Sequence, residues 1–392
     1  MIDTAILTRL NAPTASERLA ALADVLLSTD FPPADPRMVN NHIHTTYSFS
    51  PYSPTAAVYA ARAEGLCTAG IVDHDSIAGA LEFVQAGLLV GIPTTVGIEA
   101  RVSMAGTPFE SRRTNNPDQI GCSYMALHGV PHARIPEVQR FFEPLRARRN
   151  VRNRAMVARI NGLLAADGIS LDFDRDVLPL SLFADGGTVT ERHLMYALAR
   201  ALVARFGRGA PLVERLAALG VALTDAQRRQ LTDTTYAFYD FDVLNVLKAA
   251  FVPKIYLPAT DECPTLLELA TFADHVGAIL CYAYLGDVKA SVTGDKAPQP
   301  FEDAHLDELF DVLAENGIRA VTYMPTRNSP EQLDRMRALC RRYGMFEVSG
   351  EDINSPRQSF RIGVLADERF SNLIDATWAL IAHENGTKPL FR

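Results

Sequence analysis

Cysteine is scarce and scattered. Five occur in 392 residues, at Cys67, Cys122, Cys263, Cys281 and Cys340, and no CxxC pair is present. An odd number at wide spacing argues against a disulfide framework or a thiolate zinc site and fits a reducing compartment. Long apolar runs are also missing. A stretch such as AGLLVGIPTTVGI carries Gly and Pro and is too short to cross a bilayer. The first residues show no succession of basic, apolar and cleavable regions, so a cytoplasmic location is the expectation. A basic excess is absent too: 38 Lys and Arg stand against 46 Asp and Glu, for a net charge of −8. That balance opposes a sequence-independent nucleic-acid surface. No low-complexity tract occurs.

What is present is enough apolar material, 48% of residues, for a large core. The length suits one large α/β domain with an insertion, or two domains. Residues from about 5 to 28 read as a helix, with Thr14 or Ser16 as N-cap, and DFPPADP ends it. A rhythm then begins. MVNNHIHTT is strand-like, SPTAAVYAARAEGL helical, TAGIVDHD a buried strand. SIAGALEFVQAGLL is a helix capped by Ser76, and GIPTTVGIEARVSM is again a strand. Strand–helix alternation signals parallel βα units, whose chemistry collects at the C-terminal strand ends. Near residue 130 the rhythm gives way to helices, and it resumes after about residue 255. The expected organisation is therefore an N-terminal helical extension (1–36), a barrel-like domain in two pieces (37–130 and 255–392) and a helical insertion (131–254).

The polar residues on these strands carry the chemical argument. His42 and His44 share a side at period two. His74 ends GIVDHD between Asp73 and Asp75, Glu99 ends PTTVGIEA, His128 ends CSYMALH, and Asp352 ends FEVSGED. Singly, each is an ordinary strand-end residue. Together they bring imidazoles and carboxylates to one rim, where a cation would relieve their unpaired burial. Mixed His and carboxylate ligation suits Mn, Zn or Fe better than Mg or Ca.

The segments NNHIHTTYS, IVDHDSIAGALE, VGIEA, MALHGV and SGEDIN resemble the successive motifs of the PHP (polymerase and histidinol phosphatase) family. The resemblance covers residues 38 to about 130 and 262 to about 365. It implies a distorted (β/α)7 TIM-like barrel that hydrolyses phosphate esters with up to three metals. It further implies a first metal on His42, His44, Glu99 and Asp352. A second would take Glu99 and His128, with Tyr282 where a histidine is usual. A third would keep only His74, because Phe49 and Asn354 stand at its other positions. The expected cofactor is thus one or two divalent ions rather than three.

If active, such a site would use a metal to lower the pKa of a water and polarise a phosphoryl oxygen. His128, His74 or Asp75 would supply acid–base catalysis. Arg327, Arg357, Arg192 and Lys289 are candidates for binding phosphate, with Tyr282 and Asn354 as further substrate contacts. Asp75, Glu351 or His193 are spare ligands by position. The basic run RARRNVRNR (146–154) reads as a solvated helix face, with nucleic acid as the lesser alternative. The leading expectation is a metal-dependent phosphoesterase acting on a small phosphorylated metabolite or nucleotide, with phosphate as ligand and neither nucleic acid nor membrane as partner. The alternatives are a degenerate, catalytically weak or inactive relative that binds metal or ligand, and a metal-dependent hydrolase whose substrate is not a phosphate ester, with attack on a carbonyl.

Overall fold

The computed structural model describes residues 3–287 and 300–391. A curled six-stranded sheet is at its centre, in the order β1 (Ala69–His74), β2 (Thr94–Ser103), β3 (Cys122–His128), β4 (Ile279–Tyr284), β5 (Ala320–Tyr323) and β6 (Phe346–Ser349). Near-continuous burial along β1, β2 and β5 matches their apolar sequences. The sheet forms a half-barrel surrounded by helices, not a complete seven-stranded barrel. One reason is that the histidine segment is not a regular strand. Ile43 makes isolated bridges to Ile71 and to Ile353, so residues 40–44 span the sheet's two edges without joining it as a strand.

A second departure from the expected parallel rhythm concerns β3, which runs antiparallel to both β2 and β4. The end of β3 therefore lies at the start of β4, where His128 pairs with Ile279. His128 is not at the same level as the other strand ends.

Thirteen helices are described: α1 (Thr4–Leu10), α2 (Ala15–Leu26), α3 (Pro54–Ala63), α4 (Ala80–Val90), α5 (Ile135–Leu164), α6 (Glu191–Phe206), α7 (Ala210–Ala218), α8 (Asp225–Thr232), α9 (Tyr239–Ile255), α10 (Leu266–Val276), α11 (Leu306–Glu315), α12 (Pro330–Tyr343) and α13 (Ser371–Glu384). The helix expected over 5–28 is split. Pro13 cannot donate a helical hydrogen bond, and Thr14 starts α2 with a capping box to Glu17. Ser76 does not cap α4. That helix starts after Gly79, and the Ser76 hydroxyl donates to Gly186 O instead.

Two large cores result. The first joins the sheet to α3, α4 and α10–α12, and takes in Leu7, Leu10, Leu22 and Val25 of the N-terminal helices. A buried bidentate pair, Arg18 with Glu82, fastens α2 to α4 at 2.6 Å and 2.8 Å. The N-terminal extension therefore packs on the sheet domain. The second core lies within the inserted helices, with one member from outside, Phe49.

Candidate metal centre

The centre is assembled from four separated segments. His42 and His44 come from the bridging segment 40–44, His74 from the end of β1, Glu99 from β2, and Asp352 from the loop after β6. Register explains part of this: His74 pairs with Glu99 across β1 and β2. Asn40 explains another part. Its Oδ1 accepts from His42 N at 3.0 Å and from Glu351 N at 3.1 Å, tying the histidine segment to the Asp352 loop. Gly350 is required where the two segments touch, since a Cβ there would lie 2.5 Å from His42 Cβ.

Two overlapping groups of ligand atoms form, His42–His44–Asp352 and His44–His74–Glu99, each within 4.8 Å. His44 belongs to both. His44 Nε2 lies 3.2 Å from Asp352 Oδ1 and 3.7 Å from Glu99 Oε2, and His74 Nδ1 lies 3.1 Å from Glu99 Oε2. His42 Nε2 is 3.6 Å from the same Glu99 oxygen. Yet His42 Nε2 and His44 Nε2 are buried without a properly aligned hydrogen bond. Buried polar atoms are rarely left so. Nitrogens and carboxylates that converge without hydrogen bonding to one another are what a bound divalent cation requires. The donor set therefore fits a metal.

The tautomer of His44 is set from behind. Its Nδ1 lies 3.2 Å from Ser48 Oγ, and that hydroxyl donates to buried Asp73 at 2.5 Å. Asp73 also accepts from Thr45 N and Oγ1 at 2.7 and 2.6 Å. With Ser48 committed to Asp73, its oxygen is left to accept a proton from Nδ1, so Nε2 presents its lone pair to the centre.

Charges in the cluster are strongly coupled. Burial alone would raise the Glu99 carboxyl, but the imidazoles of His74, His42 and His44 hold it down to about 2. Asp352 is likewise held well below its ordinary value, against burial, by His44 and His42. Burial pushes His74 down to about 3, against the pull of Glu99. Burial also opposes charge on His44, but Asp352 and Glu99 outweigh it and raise this imidazole.

The remaining sequence candidates separate clearly. His74 joins His44 and Glu99 instead of standing at a distant third position. His128 lies deeper, beside Gly97, whose missing Cβ leaves room for His128 Nδ1. Both His128 ring nitrogens are buried without a hydrogen bond, and burial pushes the imidazole down to about 3. A neutral imidazole there can offer a lone pair, but it is not a general acid near neutrality. Asp75 is withdrawn from acid–base work, because its carboxylate is ion-paired to Arg149 at 2.6 Å. Tyr282 is fully buried in the first core, where burial and Glu302 push its phenol well above the ordinary value. Phe49 is occupied in the second core, against His193 and Tyr196. His193 caps α6, with Nδ1 accepting from Thr190 N at 3.0 Å, and is not a spare ligand. Asn354 donates to Asp352 Oδ1 at 2.6 Å and so orients a ligand. Glu351 accepts from Thr326 N and lines the same cavity.

That cavity opens directly over the cluster. His42, His74, Glu99 and Asp352 form one wall. Arg192 and Arg327, both expected, line it together with Arg149 and Lys248, which sequence reasoning missed. Tyr124, Val252, Tyr323 and Met324 also line it. Arg357 is elsewhere: it forms a bidentate pair with Asp242 at 2.7 Å and lies over the Tyr236 ring. Lys289 lies outside the described residues. The run 146–154 is not a solvated face either. Arg146, Arg149 and Arg152 are buried, while Arg154 is exposed on Asp174.

No family model and no curated protein matches the chain. Solved structures do. A Bifidobacterium adolescentis protein provisionally described as a metal-dependent phosphoesterase aligns at TM-score 0.54 and 19% identity, over 88% of this chain and 98% of that one. An amidohydrolase from Chromobacterium violaceum, with bound sulfate and no metal, aligns at 0.51 and 18%, over 82% and 89%. At these identities the likeness is one of fold. Among the described residues no helix is long and apolar enough to cross a membrane.

Proposed function

We propose that the protein is a metal-dependent hydrolase of the PHP type that cleaves a phosphate ester of a small metabolite or nucleotide. The observation that carries the reading is the His42–His44–His74–Glu99–Asp352 cluster, four of whose members line a cavity that also presents Arg192, Lys248 and Arg327. A ligand set beside a group of cations suits an anionic substrate whose reacting atom meets the metal. The fold likeness to a protein described as a metal-dependent phosphoesterase, and to another that holds sulfate, supports the same reading.

His42, His44 and Asp352, or His44, His74 and Glu99, would hold a divalent ion, Mn, Zn or Fe, whose chemistry there would be to polarise the phosphoryl group and lower the pKa of a water. The chain's own contributions are distinct. Asp73 and Ser48 keep His44 Nε2 directed at the centre, and Asn354 orients Asp352. Arg192 and Arg327 bind the phosphoryl oxygens.

The amidohydrolase likeness gives a second reading, attack on a carbonyl, its specific support being that structural alignment. The test is a release assay over phosphate esters and amides with added Mn. Phosphate release that falls in Arg192→Met and Arg327→Met, chiefly through KM, is expected. Turnover of amides alone would overturn the phosphoesterase reading. Bound metal with no turnover of either class would favour an inactive binding protein.

A further inference from the structure

The basic run on α5 has no part in the reading above, yet it is the most elaborate buried ionic structure among the described residues. Arg149 Nη1 pairs with Asp75 Oδ2 at 2.6 Å, and its Nη2 with Glu191 Oε2 at 2.8 Å. Glu191 Oε1 takes Arg101 at 2.9 Å and Arg152 at 2.8 Å. Arg152 Nε continues to Glu262 Oε2 at 2.8 Å. Arg146 Nη1 donates to the Asp75 carbonyl at 3.2 Å. Such a network is poor evidence for stability, because desolvating the charges costs about as much as their attraction returns. A geometric role accounts better for its position.

That position is the residue after His74. Asp75 is the one non-glycine among the described residues with a left-handed backbone, at φ 49°. Such a conformation persists only where its surroundings hold it. Its amide donates to Glu99 O at 2.8 Å. Its carboxylate and carbonyl are held from α5 by Arg149 and Arg146. The turn that aims His74 at Glu99 is thus clamped by the inserted helices. The other end of the clamp, Glu191, begins α6 and precedes Arg192 in the cavity wall.

We infer that Arg149 is a positioning residue: by bridging Asp75 and Glu191 it fixes the turn that directs His74 into the metal centre, and so makes that centre depend on the inserted helices. Both nitrogens it uses are committed to carboxylates, which distinguishes it from a substrate-binding arginine. The inference rests on the metal reading proposed above.

The test is titration of metal-free protein with Co²⁺, read by absorbance and calorimetry, in wild type, Arg149→Lys, Asp75→Asn, His74→Ala and the double variant Arg149→Lys/His74→Ala. Lysine keeps the charge but offers one nitrogen where Arg149 uses two, so it loses the fixed fork between Asp75 and Glu191, and asparagine tolerates the left-handed backbone while losing the pair. Arg149→Lys and Asp75→Asn are expected to weaken cobalt binding roughly 10- to 100-fold, as loss of a ligand's supporting partner usually does. They should also change the visible cobalt spectrum. In the His74→Ala background, Arg149→Lys should add less than about twofold, because it acts through His74. Wild-type affinity in both folded variants, or an undiminished effect of Arg149→Lys without His74, would overturn the inference alone. Should Arg149→Lys not fold, Asp75→Asn decides. No cobalt binding by wild type would overturn it together with the metal reading.

Discussion

Ser48 shows how much of this centre lies behind its ligands. Its hydroxyl stands between Asp73 and His44 Nδ1, and nothing else described performs that task. Ser48→Ala should weaken metal binding roughly 10- to 100-fold with little change in fold; calorimetric titration of metal-free protein checks it. A second residue-scale prediction concerns Glu384. Burial raises its carboxyl to about 7, partly offset by His132 and by the Val96 amide it accepts. A carboxyl whose folded value exceeds its unfolded value keeps its proton longer in the native state. Between about pH 4.5 and pH 7 the folded state therefore binds more protons, and stability from this group falls as pH rises. Glu384→Gln should flatten that slope and gain on the order of 2 kcal/mol at pH 8 relative to pH 4.5. Urea unfolding at the two pH values measures it. The candidate ligands were legible as residues. His42 and His44 share a parity, and Glu99 and Asp352 close apolar runs. Their supports were not legible, because Ser48 and Asp73 are ordinary small polar residues until the chain brings them together.

At the scale of elements, the histidine segment is fastened at both ends. One end is Asn40, bonded to the Asp352 loop; the other is Phe49, inserted among Tyr196, His193 and Phe241 of the added helices. Where the family resemblance implies a ligand, this chain has a hydrophobic anchor. Phe49→Ala should destabilise the protein by about 3–5 kcal/mol, and should loosen α6 in hydrogen exchange before α3 or α4. The N-terminal helices offer a parallel case. Arg18→Met leaves buried Glu82 without its partner and should cost about 3–5 kcal/mol, recovered largely in a double variant that also removes Glu82; chemical denaturation of the single and double variants decides. The alternation of strands and helices was readable from periodicity, and α6 begins and ends where its pattern does. The reversed direction of β3 was not, since an apolar strand reads alike in either orientation. The burial of Arg146, Arg149 and Arg152 was hidden for another reason. Their partners Glu191 and Glu262 are 42 and 110 positions away along the chain, so the run looks like an unpaired basic face.

At the scale of the whole molecule, a half-barrel supplies ligands from one side and an inserted helical layer supplies cations and the clamp from the other. Neither half carries the site alone. The histidine segment bridges the sheet's edges, so the segment that carries the candidate ligands His42 and His44 also ties β1 to the loop after β6. Metal loss should therefore lower thermal stability as well as activity. His44 is the residue on which this account depends most, because it belongs to both ligand groups. The most direct test is the metal content per chain of protein purified without chelator, wild type beside His44→Ala, with circular dichroism confirming that both are folded. The account predicts one to two equivalents of divalent transition metal in the wild type and well under one in folded His44→Ala. A folded wild type without metal, or equal content in the two proteins, would contradict it.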